Sequence, residues 1–220
     1  MVITLSRQAE CGGEDIAQLA AERLGVQIAD RAILERIAQR EGLPVAHLAV
    51  FDETVPGAIE AVIAEWRTSI SHAVYLRRLV HVLLTLERED HVLIVGRGAA
   101  FVLTDPGTLH VRVVAPLPHR VAHLMHRQAI GRGEAERILG RSDEARAQFL
   151  RRAFEADINA PCHYDLTINT AELAVEEAAE IVVLAARRKA PRRVVPAETP
   201  EDFVSQVLRI QRWPRFPRPR

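Results

Sequence analysis

The stretch Met1-Val-Ile-Thr-Leu-Ser-Arg-Gln-Ala-Glu-Cys-Gly-Gly-Glu-Asp-Ile-Ala17 decides how the chain is read. An apolar run from the first residue, a loop closing on Gly12-Gly13, and a helical pattern through Ile16, Leu19, Ala20 and Leu24 give the order strand, glycine turn, helix. That order belongs to phosphate-binding α/β units. Two adjacent glycines let backbone N–H groups turn toward an anion with no Cβ in the way, and the helix behind them presents its positive end to the same point. A phosphate over Cys11 to Glu14 is one reading, and plain turn chemistry before a helix is the other. The pattern G-x-x-x-x-G-K-[ST] is not met: Gly13 stands where the lysine would be, and Glu14 and Asp15 replace a small residue and the magnesium-binding hydroxyl. Lys189 is the only lysine in the 220 residues, so any cation over a transferred phosphoryl group has to be an arginine.

Working outward, the first helix is expected over about Asp15 to Leu24, stopped by Gly25, with a short strand Val26 to Ala29 ending at Asp30-Arg31. Further helices are expected from Ala32 to about Arg40 and, on one long apolar stripe, from about Ala58 to Arg88, with residues 44 to 56 as a short helical turn and loop. His91-Val-Leu-Ile-Val95 is a continuous apolar run of the kind buried on both faces of a parallel sheet. Gly96-Arg97-Gly98 follows at its carboxyl end, the edge at which open parallel sheets bind ligands. Leu109 to Val114 is the fourth strand, and a helix begins near Pro118. Its His119, Arg120, His123, His126 and Arg127 read as a solvated face, since no carboxylate or cysteine completes a metal pattern. Gly131-Arg132-Gly133 is expected to interrupt the helix, with a short turn over Glu134 to Leu139 and a new helix, about Glu144 to Ala156, capped by Ser142-Asp143. Asp165 to Asn169 is the fifth strand, and Thr170 opens a last helix over about Ala171 to Ala186. Five strands separated by helices predict an α/β fold with right-handed crossovers throughout.

Ser6-Arg7 followed by Gly12-Gly13 and Ile16-Ala17, then Asp30-Arg31, Val95-Gly96-Arg97-Gly98-Ala99, Asp143-x-x-Arg146 and Tyr164-Asp-Leu-Thr-Ile-Asn-Thr170, together resemble the cytidylate kinase-like family. That family is a divergent branch of the P-loop nucleoside-monophosphate kinases. The resemblance covers about residues 1 to 188 and rests on five blocks in the same order. This chain has Glu10 and Cys11 where the family usually carries a glycine and a small residue, and Glu14 where it usually carries an arginine. The resemblance implies a three-layer P-loop kinase-like fold: a five-stranded parallel sheet, helices on both faces and a helical lid at about 116–160. It implies an enzyme that moves the ATP γ-phosphoryl group, with Mg²⁺, to a nucleoside monophosphate, cytidylate being the favoured acceptor. Donor phosphates would meet Ser6, Arg7, Cys11, Gly12, Gly13, Glu14 and Asp15. The acceptor would meet Asp30, Arg31, Gly96 and Gly98. Arg97, Arg127, Arg132 and Arg146 would be the catalytic cations in place of lysine, an exchange that guanidinium chemistry permits because arginine binds phosphate bidentately and keeps its charge. Asp143 would orient Arg146 one turn on, and Asp157 or Asp165 would hold Mg²⁺ or the acceptor.

Composition bounds the alternatives. Apolar residues at 48% suffice for one core, and the longest uncharged apolar runs are of strand length, which predicts a soluble cytoplasmic protein with no membrane partner. Two distant cysteines, Cys11 and Cys162, give neither metal-ligand spacing nor a disulfide framework. The formal net charge of zero hides a split: from Arg187 onward ten Lys/Arg face three Asp/Glu, so the tail is +7 and the body −7. An acidic body argues against the whole protein as a nucleic-acid binder. Residues 189–220 carry half of the twelve prolines and are expected to be largely disordered. Two other readings therefore stand beside a kinase. One is a catalytically degenerate nucleotide or phosphate sensor. The other is an interaction protein whose basic tail meets an acidic protein or RNA; a homo-oligomer is compatible with all three.

Overall fold

In the computed structural model, the described residues are 1–29 and 72–189. The expected acceptor residues Asp30 and Arg31, the helix from Ala32, the turn at 44–56, the first part of the long helix and the tail from 190 lie outside them. The described elements run β1 (Val2–Arg7), α1 (Gly13–Leu24), β2 (Gln27–Ile28), α2 (His72–Glu89), β3 (Val92–Val95), α3 (Ala99–Val102), β4 (Leu109–Val114), α4 (Leu117–Gln128), α5 (Arg132–Phe154), a 3₁₀ turn at Pro161–His163, β5 (Leu166–Asn169) and α6 (Val175–Arg188). The strands form one parallel sheet in the order β2-β3-β1-β4-β5, so β1 is central.

Alternation along β1 divides the core in two. Ile3 and Leu5 point to the layer formed by α1 and α6, together with Leu93, Val111, Val113 and Ile168. Val2 points the other way, with Val92 and Ile94, toward α2 and α3. Each fully buried Val, Ile or Leu contributes about 1.5–3 kcal/mol, and a strand buried on both faces collects that from every residue. Such a sheet tolerates polar side chains only where they are partnered. On the α2 face Thr4 Oγ1 lies 2.7 Å from His110 Nδ1, its neighbour in the β1–β4 register. This is the α/β sandwich that the strand count implied. The short α3 and the 3₁₀ turn are elements too brief to carry a period in the sequence.

Three boundaries differ from the sequence expectation. Residues 132–154 form one continuous helix, not a turn followed by a capped helix. Neither expected cap faces the backbone: Ser142 Oγ accepts from Arg146 Nη1 at 2.6 Å, and Asp143 is taken by Arg120. With Ala135, Leu139, Leu150 and Ala153 buried along one side, packing outweighs the roughly 1 kcal/mol that Gly140 costs in helix propensity. The last helix starts at Val175, four residues later than expected. Asn169 Oδ1 accepts the Ala171 N–H, which holds the chain in a turn, and Glu177 Oε2 accepts the Ala174 N–H just ahead of the helix. The first helix starts two residues earlier, at Gly13. No described helix is long and apolar enough to cross a membrane.

Candidate functional site

The connections of the sheet reverse direction between β1 and β3. From β1 the chain goes outward to β2, and from β3 it crosses to β4 on the far side of β1. A crevice outside the carboxyl ends of those two strands is where open α/β sheets bind ligands. The loop after β1 and the Gly96-Arg97-Gly98 turn after β3 both open onto it.

The loop after β1 is tied down from several sides. Gln8 N–H donates to Val113 O, Ala115 N–H to Gln8 Oε1, and the Thr170 hydroxyl to Cys11 O at 2.9 Å. Cys11 is buried, and burial pushes its thiol above the ordinary value while its Sγ–H donates to Gln8 O. Gly12 then adopts φ 74° and opens α1 with no side-chain cap. The first intrahelical bond is Ile16 N–H to Gly12 O, so the N–H groups of Gly13, Glu14 and Asp15 gain no partner from the helix itself. A Cβ at Gly13 would stand 2.7 Å from Arg7 Cβ, so only glycine lets the helix start this close to β1.

Three carboxylates paired with cationic side chains surround that cradle. Buried Arg7 donates through Nε to Glu14 Oε1 at 2.8 Å, which places a guanidinium under the first turn of α1 and neutralises the carboxylate at Glu14. Glu10, at φ 60°, accepts from His123 and Arg127 of α4. Buried Arg120 donates to Ala115 O at 3.0 Å, to Ala9 O at 3.4 Å and to Asp143 Oδ2 at 2.8 Å, so one side chain joins α4, the loop and α5. The α4–α5 pair adds a small core of its own, Val121, Leu124, Ala135 and Leu139, with Ala9 of the loop packed against it.

Across the crevice, Gly96, Arg97 and Gly98 take φ of 72°, 57° and 66°. A non-glycine residue held in the left-handed region is strained, a condition concentrated at functional sites. Arg97 Nη1 donates to Ala29 O at 2.9 Å, at the end of β2 and directly ahead of Asp30. On the α2 face of the sheet, Arg112 of β4 is buried and donates to Ser6 Oγ at 2.9 Å, while its guanidinium carbon lies 5.9 Å from the centre of the Tyr164 ring. Burial lowers the Arg112 pKa and raises that of the Tyr164 hydroxyl, which donates to Ile158 O. The Asp143 carboxylate opposes that lowering of Arg112, and the Arg146 charge adds to it. Tyr164, Phe101, Phe154 and His163 stack or tilt on one another at 4.9 to 6.5 Å, and Phe149 joins through Phe154. These rings fasten the end of α5 to α3.

The structure thus collects Ser6, Arg7 and Cys11 to Asp15 at the cradle, with Arg127 reaching it through Glu10. Gly96, Arg97 and Gly98 face it from β3. Arg146 donates to Ser142 Oγ on its own helix. Arg132 is set apart: it pairs with Glu136 on its own helix and its side chain is 68% exposed. Asp143 does not orient Arg146 but holds Arg120. Arg120 is buried rather than solvated, and His123 is engaged by Glu10. Asp165 sits at the amino end of β5, accepting from His110 N–H and from Lys189, and Asp157 caps the Asn159 N–H. Among the described residues no three His, Cys, Asp or Glu converge as a metal site. Sequence reasoning missed Arg112 and Arg120. The signal for Arg112 was present, because a charged residue inside an otherwise apolar strand of a doubly covered sheet has to be buried.

The model of the cytidylate kinase-like family matches residues 2–172. A cytidylate kinase from Desulfurococcus amylolyticus is 33% identical over 100 residues, 44% of this chain and 53% of that protein. A uronate isomerase from Corynebacterium glutamicum is 30% identical over 110 residues, 49% of this chain and 21% of that protein. The matches thus span about half or less of these relatives. An uncharacterized protein from Eubacterium ventriosum has a similar fold, with TM-score 0.65 and 17% identity over 86% of this chain and 99% of that one.

Proposed function

Because the chain belongs to the cytidylate kinase-like family, we propose that it is an ATP-dependent phosphotransferase of nucleoside-monophosphate kinase type, with cytidylate as acceptor. The observation that carries this reading is the uncapped, glycine-opened start of α1 at the switch point of the sheet, roofed by the α4–α5 pair. The N–H groups of Glu14 and Asp15 and the helix dipole favour the donor phosphates there, while the Gly13 N–H is turned to the Cys11 thiol. Phosphoryl transfer asks the protein for position and positive charge rather than covalent chemistry. Arg7 lies beneath the cradle, Arg97 and Arg146 flank the acceptor side, and Arg127 approaches over the loop. A closing lid would exchange the Glu10 contact of Arg127 for phosphoryl oxygens.

Magnesium fits this donor set in one way. It usually keeps several waters, bridges donor oxygens and needs one or two carboxylates. Glu10 and Glu14 are engaged by arginines, whereas Asp15, exposed in the first turn of α1, carries no ion pair among the described residues. Asp15 is the residue that would hold the hydrated ion, which would supply charge neutralisation between the donor oxygens.

The test is transfer from γ-labelled ATP with Mg²⁺ to a panel of nucleoside monophosphates, beside Arg97→Ala and Arg146→Ala. Transfer to one pyrimidine acceptor is expected, reduced by about a hundredfold in each variant, or about 2.7 kcal/mol of transition-state stabilisation. Absence of transfer to every acceptor would overturn the kinase reading. The Arg7–Glu14 and Arg127–Glu10 pairs favour a second reading, a nucleotide sensor whose loop carboxylates have taken up the donor-site cations. It predicts ATP binding by calorimetry with no transfer.

A further inference from the structure

Helix α1 could close one more hydrogen bond at its start than it does. The Cys11 carbonyl stands four residues before Asp15, so it is the acceptor that an α-helix would give the Asp15 N–H. It is not used that way, since the first intrahelical bond runs from Ile16 N–H to Gly12 O. Cys11 O accepts instead from the Thr170 hydroxyl at 2.9 Å, 159 residues away in the chain. Thr170 is 6% exposed and is fixed at the end of β5 by its own N–H, which donates to Val114 O at 3.0 Å. Its hydroxyl also lies 3.3 Å from Val114 O, but it carries a single hydrogen. The shorter contact, to a carbonyl with no other donor among the described residues, takes that hydrogen. A hydroxyl at the edge of the sheet thus withholds a carbonyl from the helix that begins beside it.

We propose that Thr170 is a positioning residue for the cradle: by holding Cys11 O it keeps the Asp15 N–H open and aims the Gly12 N–H at the donor phosphates. The inference rests on the reading of the cradle as the donor site. The Cys11–Gly12 peptide is planar and trans, so the Gly12 N–H points opposite to the carbonyl, away from Thr170. The side toward β5 and α6 is filled, since a Cβ at Gly12 would stand 3.3 Å from Val175 Cγ2. The N–H therefore faces the side on which a ligand has room. With the Gly13 N–H turned to the Cys11 thiol, the N–H groups of Gly12, Glu14 and Asp15 remain for an anion, and Thr170 governs the first and the last of them. Without the hydroxyl, Cys11 O would be a buried acceptor with no donor, which is costly. The nearest donor in reach of a small peptide rotation is the Asp15 N–H, one of the open groups at the start of α1. That rotation completes the first turn of the helix and removes two donors from the cradle. The loss then falls on ligand binding more than on folding, because α1 gains the bond that the sheet gave up.

The experiment measures binding of Mg²⁺·ATP and of tripolyphosphate to the full chain by calorimetry, for the wild type, Thr170→Val, Thr170→Ala and Thr170→Ser. Melting temperature and amide hydrogen exchange at Asp15 are recorded for each. The wild type should bind both ligands and, without them, exchange the Asp15 amide rapidly. Thr170→Val and Thr170→Ala should lower both affinities about tenfold and slow ligand-free exchange at Asp15 by a similar factor, while melting within about 3 °C of the wild type. Thr170→Ser, which keeps the hydroxyl, should hold both affinities within about twofold. Should Thr170→Val fail to fold, as judged by its melting temperature, Thr170→Ala against Thr170→Ser decides. Wild-type affinities without the hydroxyl, unslowed exchange at Asp15, or a loss for ATP that tripolyphosphate does not share overturns the positioning role and leaves the donor-site reading standing. Binding of neither ligand by the wild type sinks the donor-site reading and the role with it. Affinity lost with the hydroxyl, but no transfer from ATP to any nucleoside monophosphate, keeps the role and sinks the kinase reading.

Discussion

His110 and Arg112 stand two apart on β4 and so face the same side of the sheet, yet they solve burial differently. Burial pushes the His110 imidazole below its ordinary 6.5, so it sits neutral beside Thr4, whereas a guanidinium cannot shed its charge. The unfolded chain takes up a proton at His110 as pH falls below 6.5, and the folded chain does so only at lower pH. Stability is therefore lost as pH falls through that window and levels off once the folded value is passed. Urea denaturation between pH 8 and pH 4 should show this decline, and His110→Asn should flatten it; an unchanged slope would remove His110 as the cause. Residue roles were unevenly legible in the sequence. Arg112 could be found from its place in an apolar strand. The Arg7–Glu14 and Glu10–Arg127 pairs could not, because they depend on a loop conformation with Glu10 in the left-handed region, which no spacing encodes.

Among the elements, α4 and α5 are joined by a buried arginine as well as by their small apolar core. Arg120 joins them to the loop after β1, and its partner Asp143 lies in the middle of α5. Removing one member of a buried pair leaves an uncompensated charge at a cost of about 3–5 kcal/mol; with Asp143 31% exposed, the lower end applies. Asp143→Ala should therefore destabilise the chain by about 3 kcal/mol in urea titration, more than Glu136→Ala at the exposed Arg132 pair, where about 0.5 kcal/mol is the expected ceiling. Comparable losses would mean that Arg120 finds other compensation. This pair explains why the helix boundary near Ser142 was misread. Local capping chemistry was visible in the sequence, but the partner that claims Asp143 is 23 residues upstream and on another helix.

For the whole molecule, the parallel sheet was the most legible feature, since continuous apolar runs bounded by glycine state both strand and burial. Its strand order, β2-β3-β1-β4-β5, is written in no periodicity and is read only from the structure. The described fold closes with Lys189 donating to Asp165, so a chain cut after Lys189 should keep that contact. Such a truncation is expected to melt within about 3 °C of the full chain, a stability change below about 1 kcal/mol, and to bind Mg²⁺·ATP equally well. A larger drop would make the basic tail part of the fold and weaken the interaction reading. The continuity of α5 has a mechanical consequence. At 23 residues it is a rod of roughly 34 Å, held at one end by Phe149 and Phe154 and joined at the other, through Ala129 and Gly131, to α4, against which Ala135 and Leu139 pack. With no joint at Ser142, any tilt of α5 about the aromatic group would carry the whole helix as one piece. A tilt of about 10° there would move the Arg132 end by about 6 Å and Arg146, nearer the aromatic group, by about 2 Å, so a single rigid rotation separates a large displacement from a small one along the same helix.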